Sequence, residues 1–160
     1  MTMVLVAGFA LAAAAEKPER LEIRHSMLGY RSTLVFYSFK TQPVILVLNI
    51  GNQDESFPVT GKVHLFDKAT SEAGLKKWIN NKHSDALFVD AAQPSSTKTL
   101  ADGFCTVTAK KQTGTSTNPG PHKAAFKDFE LSLSIKAQDL GDGYTLPAFT
   151  DTARVHVQSK

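Results

Sequence analysis

The histidines are the residues of this 160-residue sequence whose chemistry best suits the binding of a metal ion. His64 and His156 fall on the polar faces of predicted strands, and His25 lies at the end of another. If these strands were neighbours, the three imidazoles could meet and bind zinc or copper. No two histidines stand two or four residues apart, the spacing at which one strand or helix presents a pair of ligands. A metal site at His25, His64 and His156 is therefore an alternative, and the sequence predicts no cofactor.

Other catalytic patterns are weak. His83, Ser84 and Asp85 have the residue types of a hydrolase triad, but the histidine of a triad is held from its far side, which adjacent residues rarely achieve. The sequence has no glycine-rich nucleotide loop, nucleophile elbow or paired-histidine zinc helix. Cys105 alternates with polar threonines, which predicts a buried, inert thiol. The sequence favours a non-enzymatic protein, and the alternative is a small exported hydrolase or metal-binding protein that uses dispersed His and Asp residues.

The N-terminus has the pattern of an export signal. Residues 3–15 are apolar and end in alanines, and a charged segment starts at Glu16. Ala13 and Ala15 are the small side chains that signal peptidase requires, so we expect cleavage after Ala15 and a secreted or periplasmic protein. The alternative is an apolar N-terminal helix that the mature fold retains. As a helix the apolar run would span about 20 Å, less than the bilayer core, which argues against a permanent membrane anchor.

Period-two alternation runs through most of the remaining chain. Residues 34–39 and 44–50 predict a hairpin, and the second run is apolar on both faces as far as Asn49, which is typical of a central strand. Residues 129–135 alternate cleanly between apolar and polar, as a half-buried strand does. Residues 140–147 predict a turn with glycines at positive φ, and residues 86–89 predict a short strand.

One segment has helical spacing instead. Residues 71–82 predict an amphipathic helix that Ser71 caps and Trp78 anchors onto a sheet. The alternative for Trp78 is stacking against a sugar or a peptide. Together these elements predict an all-β fold, an antiparallel β-sandwich of immunoglobulin-like type with one short helix, in a single domain over residues 16–160. A β-barrel is the alternative.

A β-sandwich commonly carries its function on the loops at its ends. Residues 111–121 are rich in Gly, Thr, Ser and Pro and predict a long exposed loop. We therefore expect a binding or interaction module whose partner is a protein, a peptide or a glycan. The expected contact residues are Tyr30, Lys111, Lys123, Tyr144 and Phe149. The formal charge of +3 is spread along the chain without a basic stripe, which argues against nucleic acid as a partner.

Overall fold

The structure, a computed structural model, describes residues 17–25, 31–81, 93–117 and 124–159. The described residues form ten β-strands and one α-helix. In chain order these are β1 (Glu19–His25), β2 (Ser32–Ser38), β3 (Val44–Gly51), β4 (Val59–Leu65), α1 (Glu72–Asn81), β5 (Ser96–Thr99), β6 (Cys105–Thr117), β7 (Ala125–Ile135), β8 (Gln138–Gly141), β9 (Tyr144–Leu146) and β10 (Phe149–Gln158).

Antiparallel sheets dominate the fold, which confirms the predicted all-β class. The first five strands form one sheet in the order β1-β2-β3-β4-β5. A second sheet has the order β10-β7-β6, and β8 pairs with β9 in a separate hairpin. The sheets are open, so a sandwich fits and a closed barrel does not. The immunoglobulin-like assignment is not confirmed, because immunoglobulin strands are shared between sheets, whereas five consecutive strands lie in one sheet here.

The hairpin of β2 and β3 confirms the prediction for residues 34–50. Strand β3 pairs with β2 on one side and β4 on the other, so it is a central strand. Its Leu46 and Leu48 belong to the core between the sheets, whereas Ile45 packs under the helix. Because both faces are covered, the strand is apolar without alternation until exposed Asn49.

The main core lies between the two sheets. Alternate residues of β7, including Leu131 and Leu133, are fully buried and face the five-stranded sheet. Val155 of β10 and Leu46 of β3 belong to the same cluster. Each such aliphatic side chain contributes about 1.5–3 kcal/mol through burial, which lets the fold hold together with its single cysteine unpaired.

Helix α1 covers part of the outer face of the five-stranded sheet, which is the face turned away from the second sheet. The Ser71 hydroxyl accepts a hydrogen bond from the Gly74 N–H at 3.1 Å, which confirms the predicted cap. Leu75 and Trp78 of the helix are buried and form a second apolar cluster with sheet side chains. Trp78 therefore anchors the helix onto the sheet, as its spacing predicted.

The prediction of a loop at residues 111–121 is wrong for residues 111–117, because β6 continues to Thr117. There β6 pairs with β7, with Lys111 opposite Glu130 and Thr115 opposite Lys127. Threonine has a high strand propensity, and a long antiparallel partner supplies the backbone hydrogen bonds that a loop would lack. The pairing register shifts twice, between Val107 and Ala109 and again between Gln112 and Gly114. These shifts are β-bulges that the sequence did not indicate.

Residues 140–147 form more than the predicted turn, since most of them belong to the hairpin of β8 and β9. The turn itself is as predicted: Gly141 and Gly143 have φ angles of 78° and 82°, and Asp142 shares this left-handed conformation. The predicted signal peptide and the predicted strand at residues 86–89 lie outside the described residues. In the described parts of the chain, no helix has the length and apolar character needed to cross a membrane.

A polar cluster joins the two sheets along one side of the sandwich. The buried Tyr37 hydroxyl of β2 donates a hydrogen bond of 2.7 Å to the Asp151 carboxylate of β10. Arg20 of β1 forms an ion pair of 3.2 Å with the same carboxylate and donates to the Thr152 carbonyl. Burial raises the pKa of Tyr37 well above its usual value, and the hydrogen bond to Asp151 adds to this effect.

Candidate functional site

The described residues among those expected to contact a partner do not form one exposed surface. Lys111 is exposed, but it lies within β6 rather than in a loop. Tyr144 and Phe149 are each only 8% exposed and belong to the main core. The Tyr144 hydroxyl donates a hydrogen bond of 2.7 Å to the Phe66 carbonyl, and the Phe149 ring packs edge-on against Tyr37 at a centroid distance of 5.0 Å. Tyr30 and Lys123 lie outside the described residues.

The histidines proposed as metal ligands are not gathered at one point. Adjacent residues of a strand point to opposite faces of its sheet. Val63 and Val155 point into the core, so the next residues, His64 and His156, lie on the outer faces of the five-stranded sheet and of the second sheet. The two imidazoles therefore point to opposite sides of the sandwich. The His25 side chain is outside the described part of the structure. The described residues contain no group of three or more His, Cys, Asp or Glu side chains arranged to hold a metal.

His156 belongs to a small polar cluster on the three-stranded sheet. Its Nδ1 contacts the Asp128 carboxylate, and the Ser116 hydroxyl donates to the same carboxylate oxygen at 2.9 Å. The carboxylate lies between the serine and the histidine, whereas a hydrolase triad places the histidine in the middle. Cys105 is half-buried, and this burial raises the pKa of its thiol to about 11. A protonated thiol is a poor nucleophile at neutral pH.

A cleft of about 400 Å³ lies beside α1 on the outer face of the five-stranded sheet. We call this space the outer-face cleft. Strands β2 to β5 form its floor, and Trp78 of α1 forms part of its wall. The lining residues are Leu34, Phe36, Val47, Asn49, Thr60, Gly61, Lys62, His64, Trp78 and Thr97.

The strand register sorts this floor into two halves. Leu34 of β2 pairs across the sheet with Asn49 of β3, which pairs with Thr60 of β4. In the next row, Val47 of β3 lies between Phe36 of β2 and Lys62 of β4. Cross-strand neighbours lie about 5 Å apart, so the β2 side of the floor is apolar and the β4 side is polar.

The aromatic side chains of the cleft are almost completely buried. Phe36 is 2% exposed, and the guanidinium of Arg24 lies 5.5 Å from the centre of its ring. Trp78 is 4% exposed and lies between His64, at a ring-centroid distance of 4.5 Å, and Phe66, at 5.4 Å. Little of either ring is therefore open to the cleft. Stacking of a sugar on Trp78, the alternative that the sequence left open, would need an exposed ring face, whereas this side chain is almost completely buried.

Hydrogen-bonding groups border the rest of the cleft. The His64 imidazole is 6% exposed, and its Nδ1 lies 3.0 Å from the Thr97 hydroxyl. Asn49, Thr60 and Lys62 are exposed, and Lys62 forms no ion pair with any described residue. None of the described residues that line the cleft is acidic. The cleft thus combines an aliphatic strip with a neutral and cationic polar edge.

Comparison with known proteins gives no precedent for this arrangement: the chain matches no protein-family model, no curated protein and no solved structure. The cleft therefore has to be interpreted from its chemistry. Sequence reasoning missed it, although one signal was present. Asn49 is a polar residue that interrupts an apolar strand, and its side chain is on the face that carries the cleft.

Proposed function

We propose that this protein is an exported, non-enzymatic binding module that takes a small organic molecule into the outer-face cleft. The observation that carries the proposal is the cleft itself, in which an aliphatic strip lies beside several polar side chains. Ligand sites in proteins commonly have this composition, a mainly apolar surface with a few polar side chains that fix orientation. The proposed export rests on the sequence of residues 1–15 alone.

A small ligand fits this site better than a large partner. The cleft volume of about 400 Å³ lies near the lower end of the range for small-molecule sites. The contact residues expected from sequence give less support to a protein partner, because Tyr144 and Phe149 are buried in the core. A protein interface would require a broader exposed surface with aromatic anchors.

The chain offers a direct assay, because Trp78 is its single tryptophan and lines the cleft. A library of small soluble compounds can be screened by tryptophan emission and by the shift in Tm. We expect at least one compound that alters both signals with saturable binding.

A matched pair of variants localises the binding. Asn49→Phe places a ring in the cleft, whereas Thr150→Phe places the same ring at an exposed strand position on the outer face of the other sheet. We expect the first variant to abolish binding and the second to leave it unchanged. A library without a single saturable ligand, or equal effects of the two substitutions, would rule out the cleft as the binding site.

A further inference from the structure

We infer that the ligand of the outer-face cleft is a small aliphatic carboxylate, an inference that rests on the proposed binding function of this cleft. Charge is the first argument. Among the described lining residues, Lys62 is the only formally charged side chain. The guanidinium of Arg24 lies on the same face, 5.5 Å from the centre of the Phe36 ring. Since the described lining contains no carboxylate, an anionic ligand meets complementary charge there and a cationic ligand does not.

The apolar strip determines the body of the ligand. Leu34 and Val47 are half-buried aliphatic side chains that still expose surface to the cleft. Phe36 and Trp78 are only 2% and 4% exposed, so they offer little stacking surface for a flat ring or a pyranose. An alkyl chain needs no such platform, because contact with branched aliphatic groups removes its surface from water.

The spacing of the two halves fits one molecule with a charged head and an aliphatic tail. Val47 and Lys62 are cross-strand partners, and Leu34 lies in the adjacent row with Asn49 and Thr60. Neighbouring strands are about 5 Å apart, so the aliphatic strip and the polar edge are separated by about 5–10 Å. A carboxylate at Lys62 can also accept hydrogen bonds from the Thr60 hydroxyl and the Asn49 amide, while its chain crosses Val47 toward Leu34.

Four probes separate charge from chain length: octanoate, octanol, octylammonium and acetate, each titrated into the full chain below micellar concentrations. Binding is followed by Trp78 emission and by calorimetry. We expect octanoate to bind about fivefold more tightly than octanol, the scale of one exposed ionic contact. Octylammonium should bind more weakly than octanol, and acetate should not bind measurably because it has almost no aliphatic surface.

A pair of lysine variants tests the role of the charge. Lys62→Gln should lower the affinity for octanoate about fivefold and leave that for octanol unchanged. Lys136→Gln removes an exposed lysine that directly follows β7 of the second sheet and should change neither affinity. Both positions are exposed, so these substitutions leave the core intact.

The outcomes distinguish this inference from the function on which it rests. If octanol or octylammonium binds as tightly as octanoate and Asn49→Phe blocks the binding, the cleft is a binding site but the preference for an anion is overturned. If no octyl compound binds, the aliphatic carboxylate is overturned as the ligand class. The proposed function itself fails only if the wider library also yields no ligand that Asn49→Phe blocks.

Discussion

Gly61 of β4 is the position where one added methyl group has the clearest structural consequence. Its missing side chain leaves room for the buried ring of Phe104, which packs against the strand from the core side. A Cβ at this position would lie 3.0 and 3.1 Å from Cε2 and Cε1 of that ring, and closer still to Cζ. The ring is only 4% exposed, so either it or β4 has to move within a packed core.

We therefore expect Gly61→Ala to destabilise the fold by about 1–3 kcal/mol, the usual cost of overpacking a core. For a chain of this size, at roughly 3 °C per kcal/mol, this corresponds to a Tm that is lower by about 3–9 °C. The backbone of Gly61 also lines the outer-face cleft, so a shift of β4 would disturb the cleft floor. Thermal and urea unfolding of the full chain measure the loss of stability.

Two further variants make the comparison specific. Gly114→Ala adds the same methyl group where no atom lies within 4 Å, so we expect it to be neutral or to stabilise by at most about 1 kcal/mol. Phe104→Leu in the Gly61→Ala background should recover part of the lost stability, because it removes the clashing ring edge. If Gly61→Ala is as stable as the unaltered chain, or if Gly114→Ala loses as much, the packing argument is refuted.

Tyr37, Cys105 and Gly143 provide the remaining predictions. Tyr37→Phe should cost about 1–2 kcal/mol in urea unfolding, because the hydrogen bond to Asp151 is lost in a buried place. The raised pKa of Tyr37 means that the folded state keeps a proton that the unfolded state releases above about pH 10. Stability should therefore fall as the pH rises past that point, and less steeply in Tyr37→Phe; an equal slope would contradict the assignment. Cys105, with its pKa raised to about 11, should react with a thiol reagent at pH 8 much more slowly in the folded chain than in urea, and equal rates would show that its thiol is not shielded. Gly143→Ala should lower stability by about 1–2 kcal/mol, since φ there is 82°, and an unchanged Tm would show that the turn adapts without strain.

Local sequence patterns were enough to predict those elements whose own residues carry a clear pattern of apolar and polar side chains. The alternation in β7 predicted a strand with one buried face, and the unbroken apolar run of β3 predicted a strand with two. Ser71 predicted the start of the helix. The strand at residues 111–117 could not be predicted in this way, because its Gly and Thr residues also suit a loop. Its pairing with β7 is a tertiary interaction, which the local sequence does not indicate.

The candidate site was less predictable than the fold. The outer-face cleft takes its lining from four strands and a helix, so its composition depends on register and on where α1 crosses the sheet. Period-two alternation puts Thr60, Lys62 and His64 on one face of β4, but no local pattern shows that Leu34 and Val47 lie beside them. Tyr144 and Phe149 were expected to contact a partner because a sandwich commonly carries its function on its end loops. They are buried because the residues of the β8–β9 hairpin and the start of β10 join the main core.

The two bulges in β6 have a consequence for how the protein behaves at high concentration. This strand forms an edge of its sheet over 13 residues, and such an edge can recruit a strand from another copy and propagate into fibres. Each bulge interrupts the regular spacing of the N–H and C=O groups along the free edge of the strand. The exposed side chains of Lys110 and Lys111 lie between the two bulges. An incoming strand can align only over short stretches before its hydrogen bonds fall out of phase. We therefore expect the two bulges to limit edge-to-edge association of β6 with other copies of the chain.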